Sequence, residues 1–377
     1  MTYSVHQHWD PLKVCAVGQS YPPEFYSFIA NSRVRDVMER IATETEEDYQ
    51  KLINLLKSFN VEIVRPKIEK DFSEYFSYGR YRRPIMMTPR DYTAMIGDQF
   101  FMPDCSGTPI WNKLKGADWP DQPVNQEQFD NLPEWVKKEI LSYNIPTNSY
   151  SSFETIKNLL KEQNNNISYG LNIDTAMTTR IGKDLYFGTE AYDEDQSTLK
   201  KRVEELFPNY RCHIVNTGGH SDGTFCPVIP GLIVSLYDVP SYAESFPGWE
   251  VVYLPGQSWT AVKPFLDLKE KNRGKWWVPG EELNGEFTDF VESWLGHWVG
   301  YVEETVFDVN MLVIDEKNVV CNNYNEQVFK AFDRFGINPH VINFRHRYFW
   351  EGGLHCITSD LHREGTQKDY FQERRLT

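Results

Sequence analysis

A cysteine stands behind a pair of glycines near the end of the chain, in Trp350-Glu351-Gly352-Gly353-Leu354-His355-Cys356-Ile357-Thr358-Ser359-Asp360, and a histidine stands in a second glycine-flanked turn, Gly218-Gly219-His220-Ser221-Asp222-Gly223-Thr224-Phe225. A thiolate is a strong nucleophile near neutral pH once a base or a cation lowers its pKa, so Cys356 is the candidate nucleophile. Gly352 and Gly353 lack a Cβ, which lets the backbone take positive φ and lie close to a ligand, with the sulfur facing a cavity. His220 and Asp222 are two residues apart, a spacing that in an extended segment turns both side chains the same way. Asp174, in Leu171-Asn172-Ile173-Asp174-Thr175, and Asp91, in Pro89-Arg90-Asp91-Tyr92, are two further candidate carboxylates. Cysteine, histidine and carboxylates together suit attack on a guanidinium carbon, because that planar cation keeps its charge at working pH and is best gripped by carboxylates in bidentate geometry. Taken singly, each has a plainer reading: a buried structural cysteine on a Gly-rich turn, and carboxylates that serve turns or caps.

The 377 residues could hold two domains by length, but a search for repeats comes first. Short apolar runs come in pairs around hairpin chemistry: Gly97-Asp98, Gly182-Lys183-Asp184, Pro230-Gly231 and Asp315-Glu316-Lys317-Asn318 lie between β-formers. After the pair there is often an amphipathic helix and then another strand. Asp48 to Lys57 leads to Val61–Pro66, Leu199–Leu206 to Cys212–Val215, Val328–Asp333 to His340–Phe344, and a shorter Tyr242–Phe246 to Glu250–Pro255. Five weak copies of strand, strand, helix, strand predict an α/β fold of radial repetition about a central axis, each unit burying its face against its neighbours. The whole chain, 1–377, then reads as one domain with interruptions at about 103–170 and 256–302. The first has a helix predicted at Leu132–Leu141, and the second holds Trp259, Trp276, Trp277, Trp294 and Trp298. These stretches suit lids or substrate walls beside a cavity, and equally a cover for apolar flanks or a dimer contact.

The formal net charge of -15 argues against a nucleic-acid partner, whose phosphates demand a basic surface, and is compatible with steering a cationic substrate. Six scattered cysteines give neither a disulfide framework nor a zinc spacing, so no metal or other cofactor is expected. No apolar run is long enough to span a bilayer and the N-terminus lacks the pattern of a signal peptide, so the expectation is a cytoplasmic protein with no membrane partner.

Gly352-Gly353-Leu354-His355-Cys356 with Asp360 and Gly365-Thr366, together with His220 to Phe225, Asp174 and Pro89-Arg90-Asp91, resembles the arginine amidinotransferases, of which arginine:glycine amidinotransferase is the type. The resemblance runs from His8-Trp9-Asp10-Pro11-Leu12 to the C-terminal motif. It implies a five-bladed α/β propeller (pentein) with the active site in its central cavity. It also implies Cys356 as nucleophile, His220 as general acid and base, Asp174 as the carboxylate that orients His220, and Asp91 and Asp222 as the grip on the donor guanidinium. The substrates it implies are small molecules: L-arginine as donor and an amine as acceptor, with a homodimer as a further possibility. In length and overall sequence the chain looks most like the branch of the family that serves saxitoxin biosynthesis in cyanobacteria.

Two positions depart from the glycine-using members. Just after Asp238, where those have an arginine for the substrate carboxylate, this chain has Val239; where they have a serine pair before the Asn-x-Leu strand, it has Glu303-Glu304. Losing a cation and gaining carboxylates disfavours glycine and favours an acceptor with extra positive charge, unless these positions face elsewhere or another arginine such as Arg345 or Arg347 substitutes. The rival functions are a glycine amidinotransferase, a guanidine hydrolase such as an arginine deiminase, and a propeller used only for binding.

Overall fold

The computed structural model describes residues 2–67, 87–102, 154–169, 175–189, 196–236, 242–254, 278–281, 283–291, 308–350 and 352–374. Their strands form five sheets of three strands. Four sheets are contiguous in sequence: β3 (Ala94–Ile96), β4 (Gln99–Met102) and β5 (Asn166–Tyr169); β6 (Thr178–Ile181), β7 (Asp184–Thr189) and β8 (Arg211–Asn216); β9 (Phe225–Ile229), β10 (Leu232–Ser235) and β11 (Glu250–Tyr253); β12 (Leu312–Asp315), β13 (Asn318–Cys321) and β14 (Asn338–Val341). In each the middle strand is antiparallel to the first and parallel to the third. The antiparallel pairs turn at the predicted hairpins, where Gly97 at φ 60 takes a left-handed conformation that costs other residues energy. The parallel pairs need a crossover, and it contains a helix every time: Glu154–Glu162, Gln196–Leu206, Tyr242–Ser245 and Glu326–Phe335.

The fifth sheet joins the chain ends. β15 (Thr358–Arg363) pairs antiparallel with β1 (Leu12–Val17), which runs parallel to β2 (Glu62–Val64). The arrangement is a five-bladed α/β propeller, closed by hydrogen bonds between its first and last strands. The sequence shows the first pair only as a lone run at Lys13–Gly18, because its partner lies some 340 residues away, with Val17 opposite Thr358.

The crossover helix of this blade runs over Ser32–Ser58, well ahead of the expected start near Asp48. Asn31 caps it, accepting from the Arg33 and Val34 amides, and Val34, Val37, Met38, Ile41, Ala42 and Thr45 continue the buried face toward its N-terminus. Interspersed charges mask that stripe in the sequence.

Each interrupting stretch includes some described residues. Glu154–Glu162 and Asn166–Tyr169, at the end of the 103–170 stretch, are the helix and third strand of a blade. In the second stretch, Gly285–Phe290 packs on the Ser32–Ser58 helix, where Asn31 Nδ2 donates to Glu286 Oε2 (3.1 Å) and Arg40 to Glu281 Oε1 (2.8 Å). That part covers a flank of the propeller. The Leu132–Leu141 helix and the five tryptophans lie outside the described residues. No helix among the described residues is long and apolar enough to cross a membrane.

The first strand of each blade approaches the axis, and there the core is ionic. Asp360 on β15, 1% exposed, accepts from Arg90 Nη2 (3.0 Å), Arg180 Nη2 (2.8 and 2.9 Å) and Arg363 Nε (2.7 Å). Burial opposes its ionisation, but the charges of Arg180, Arg90 and Arg363 outweigh burial and hold its carboxyl well below the usual range. The guanidiniums also reach backbone carbonyls of other blades, Arg180 at Met95 (2.5 Å) and Arg363 at Val313 (2.9 Å). One carboxylate facing three guanidiniums leaves a positive layer at the axis, and the candidate site lies above it.

Candidate active site

Each blade approaches its first strand through a short polar turn, and these turns meet at one end of the axis. Pro89–Tyr92 precedes β3 and packs on the turn Thr175–Met177 ahead of β6 and on β15; Thr175–Met177 packs in turn on Ser221–Thr224 ahead of β9. Thr175 Oγ1 donates to the Arg90 carbonyl at 2.5 Å.

Cys356 is fully buried in the turn before β15. Ile357 N donates to the Gly353 carbonyl (3.1 Å) and Thr358 N to the His355 carbonyl (3.1 Å). Asn310, ahead of β12, caps this turn from another blade: its Oδ1 accepts from His355 N (2.8 Å) and Cys356 N (3.2 Å). On the other side Arg90 Nε donates to the carbonyls of His355 and Thr358, both at 3.1 Å. The glycine pair does not act through positive φ, since neither residue is in the left-handed region. It acts through close packing: a Cβ on Gly353 would stand 2.5 Å from Asn310 Oδ1, and one on Gly352 would stand 2.8 Å from Thr88 Cγ2.

Asp222 Oδ2 accepts from His355 Nδ1 (2.8 Å) and from the Cys356 thiol (3.3 Å), while Oδ1 is buried with no hydrogen-bond partner among the described residues. Burial works against the Asp222 anion, but the His355 hydrogen bond, with His355, His220 and Arg90 nearby, brings its pKa down to about 2. His355 is held neutral, its pKa lowered to about 4 by burial and by Arg90, so it donates Nδ1–H to a carboxylate. Burial first, then the charges of Asp222 and Asp91, push the Cys356 thiol well above its ordinary value. The sulfur is a thiol that donates to Asp222.

His220 sits at the N-terminal boundary of the Ser221–Thr224 turn, half-buried, with its carbonyl accepting from Gly223 N (3.1 Å). That segment is helical after His220 and not extended, so His220 and Asp222 are brought together by a turn. The structure therefore gathers Cys356, Asp222, Asp91 and the His220 turn. Asp174, Val239, Glu303 and Glu304 lie outside the described residues. Of the two arginines considered for a carboxylate, Arg345 is committed to Asp48 (2.9 Å) and Glu47 (2.6 Å) on the Ser32–Ser58 helix. Arg347 is buried, donating to Asn343 Oδ1 (2.9 Å) and to the Tyr348 hydroxyl (3.3 Å), and among the described residues no carboxylate reaches it. No group of three or more His, Cys, Asp or Glu among the described residues is arranged to hold a metal ion.

Sequence reading missed Asn310, Arg90 and His355 as parts of the site. A signal for Asn310 does exist: Asp91, Asp174, Asp222, Asn310 and Cys356 stand two to four residues ahead of β3, β6, β9, β12 and β15, one polar residue per blade.

No protein-family profile matches the chain. It is 22% identical over 395 residues to the mitochondrial glycine amidinotransferase of Xenopus tropicalis, spanning 97% of this chain and 84% of that protein. It is 23% identical over 203 residues to the L-arginine:L-lysine amidinotransferase of Pseudomonas savastanoi pv. phaseolicola, spanning 52% of this chain and 46% of that one. Among solved structures, an amidinotransferase of the saxitoxin biosynthetic pathway from Microseira wollei superposes with a TM-score of 0.62 at 16% identity, over 98% of this chain and all (100%) of that one. The inosamine-phosphate amidinotransferase of Streptomyces griseus superposes at 0.60, also at 16% identity, over 98% and 99%. At such identity these two structures share the fold. Over nearly its whole length the chain is similar to curated amidinotransferases, and it has the fold of two more.

Proposed function

We propose that the enzyme moves the amidino group of L-arginine through an amidino-cysteine at Cys356 to an amine other than glycine, an intermediate of a natural-product pathway of the saxitoxin type. The observation that carries the first half is the arrangement at Asp222: Oδ2 is taken by the thiol and by His355, and Oδ1 is buried and unpartnered among the described residues. A buried anionic oxygen beside a nucleophile calls for a cation, and a guanidinium N–H on Oδ1, with Asp91 as second anion, meets that need. Asp222 then grips through one oxygen rather than as a bidentate fork.

The cation also offsets the two negative charges that hold the thiol protonated. Cys356 gives its proton to His220, the sulfur attacks the guanidinium carbon, and the bond to the departing nitrogen breaks as His220 returns the proton to it, releasing ornithine. The acceptor amine then attacks the amidino carbon, loses a proton to His220, and the sulfur leaves and is reprotonated. Asp174 orients His220 in this scheme.

The acceptor reading rests on Val239, Glu303 and Glu304, which replace a cation and a neutral pair with an apolar residue and two anions. The names of the Microseira wollei and Streptomyces griseus neighbours are consistent with a non-glycine acceptor. Glycine is the second reading, favoured by the curated glycine amidinotransferases. A deiminase would release citrulline where a transferase releases ornithine.

The test is mass spectrometry after incubation with arginine alone. Wild type is expected to gain one amidino group on the Cys356 peptide and release ornithine, and Cys356→Ser to gain none. An adduct on another residue, or citrulline as the product, would overturn the reading.

A further inference from the structure

We propose that Asn310 is a catalytic residue: its side-chain amide donates to the Cys356 sulfur and receives the negative charge when the thiolate forms. This rests on the reading of Cys356 as the nucleophile.

The orientation of the Asn310 amide is fixed by its neighbours. Oδ1 accepts from two backbone donors, His355 N and Cys356 N, so the other end of the amide must be the NH2 group. The two hydrogens of that group have two acceptors, Cys356 Sγ at 3.1 Å and the Asp222 carbonyl at 3.2 Å. The residue is fully buried, and Gly353 makes room for it. Every polar atom of the side chain is used, so the amide has no alternative position to relax into.

The other groups around the sulfur do not do this work. Asp222 accepts from the thiol and Asp91 adds a second negative charge; both oppose ionisation. His355 gives its Nδ1–H to Asp222, and Arg90 turns its guanidinium to the carbonyls of His355 and Thr358 and to Asp360. His220 lies on the Asp222 turn and is the proton carrier of the proposed mechanism. Among the described residues Asn310 is the side chain that donates to Sγ. The Asn310 hydrogen bond lowers the thiol pKa against burial, Asp222 and Asp91. A neutral donor held on a sulfur that becomes anionic makes a charge-assisted bond, stronger in the ionised state than in the thiol.

Two variants separate this role from mere support of the turn. Asn310→Asp keeps an oxygen for the two backbone donors but replaces the NH2 with a second oxygen and adds a negative charge; Asn310→Ala removes both oxygen and donor without adding charge. Iodoacetamide labelling of the Cys356 peptide is followed from acid to alkaline pH, with thermal melting in parallel. Each folded variant is expected to need a higher pH for half-maximal labelling, and at neutral pH to label on the order of tenfold more slowly or worse, as loss of a hydrogen bond to a charged group implies. Midpoints equal to wild type in either folded variant would overturn the proposal. Should neither fold, wild type decides: with isotope-labelled asparagine, the Asn310 side-chain amide resonance should move when Cys356 is alkylated, and an unmoved resonance overturns the proposal. Labelling by iodoacetamide does not depend on arginine, so failure of the amidino-cysteine reading is seen separately, as absence of the arginine adduct.

Discussion

The Cys356 thiol lies 3.3 Å from Asp222 Oδ2 and donates to it, so without substrate the proposed nucleophile is masked by the carboxylate proposed to bind the substrate. Burial opposes the Asp222 anion, but the hydrogen bond from His355, with His355, His220 and Arg90 nearby, keeps its pKa at about 2. A bound cation would neutralise the anions that hold the proton on sulfur. In the proposed mechanism the order is then cation first and thiolate second, which would protect a buried thiol from other electrophiles.

Asp222→Asn should separate binding from masking. Removing the anion lowers the thiol pKa, so labelling of Cys356 by iodoacetamide in the absence of arginine is expected to be faster than wild type at neutral pH. Turnover of arginine should fall by on the order of 100-fold or more, since the guanidinium loses a charge-assisted partner. The two rates are measured on the same preparation, and a parallel fall in both would contradict this account.

His220→Asn is expected to lower both half-reactions by about 10²–10⁴-fold, the usual range for loss of a general acid and base. Asp174→Asn should cost less, because an orienting carboxylate tunes the imidazole while the imidazole moves the protons. Single-turnover release of ornithine reads the first half-reaction, and transfer from preformed amidino-enzyme reads the second.

Asp360→Asn removes the anion that faces Arg90, Arg180 and Arg363, and a loss of about 3–5 kcal/mol is expected for breaking a buried ion cluster from one side. The folded pKa of Asp360 is depressed, so its contribution to stability is fully present above the unfolded value of about 3.9 and is lost as pH falls below it toward the folded value. Urea unfolding at neutral pH and at progressively acid pH measures this, and the difference between wild type and Asp360→Asn should narrow as pH falls below 4.

The acceptor is tested with a panel of amines at equal concentration, arginine as donor and ornithine release as readout. Dicationic amines are expected to exceed glycine in wild type, because burying a carboxylate without a cationic partner costs several kcal/mol. Glu303→Ser with Glu304→Ser should narrow the gap. Glycine equal to or better than the dicationic amines in wild type would favour the glycine reading.

The sequence by itself determined four of the blades, because each of these is local. Hairpin residues such as Gly97-Asp98 join the first two strands, and a 3.6-residue apolar stripe such as that of Glu326–Phe335 follows before the third. It also marked Cys356, His220 and Asp222, since reactive residues in glycine-flanked turns stand out in a single chain, and Asp91 in its Pro89-Arg90-Asp91 motif. What only the tertiary structure decided is long in range. The pairing of β1 with β15 closes the ring across nearly the whole chain. Asp360 gathers arginines from separate turns and strands. Gly353 is explained by the volume of Asn310 rather than by its own backbone. Asn310 shows the reason most plainly: a neutral asparagine before a strand carries no local mark of reactivity, and its part is fixed only when the ring sets it 3.1 Å from a sulfur 46 residues away.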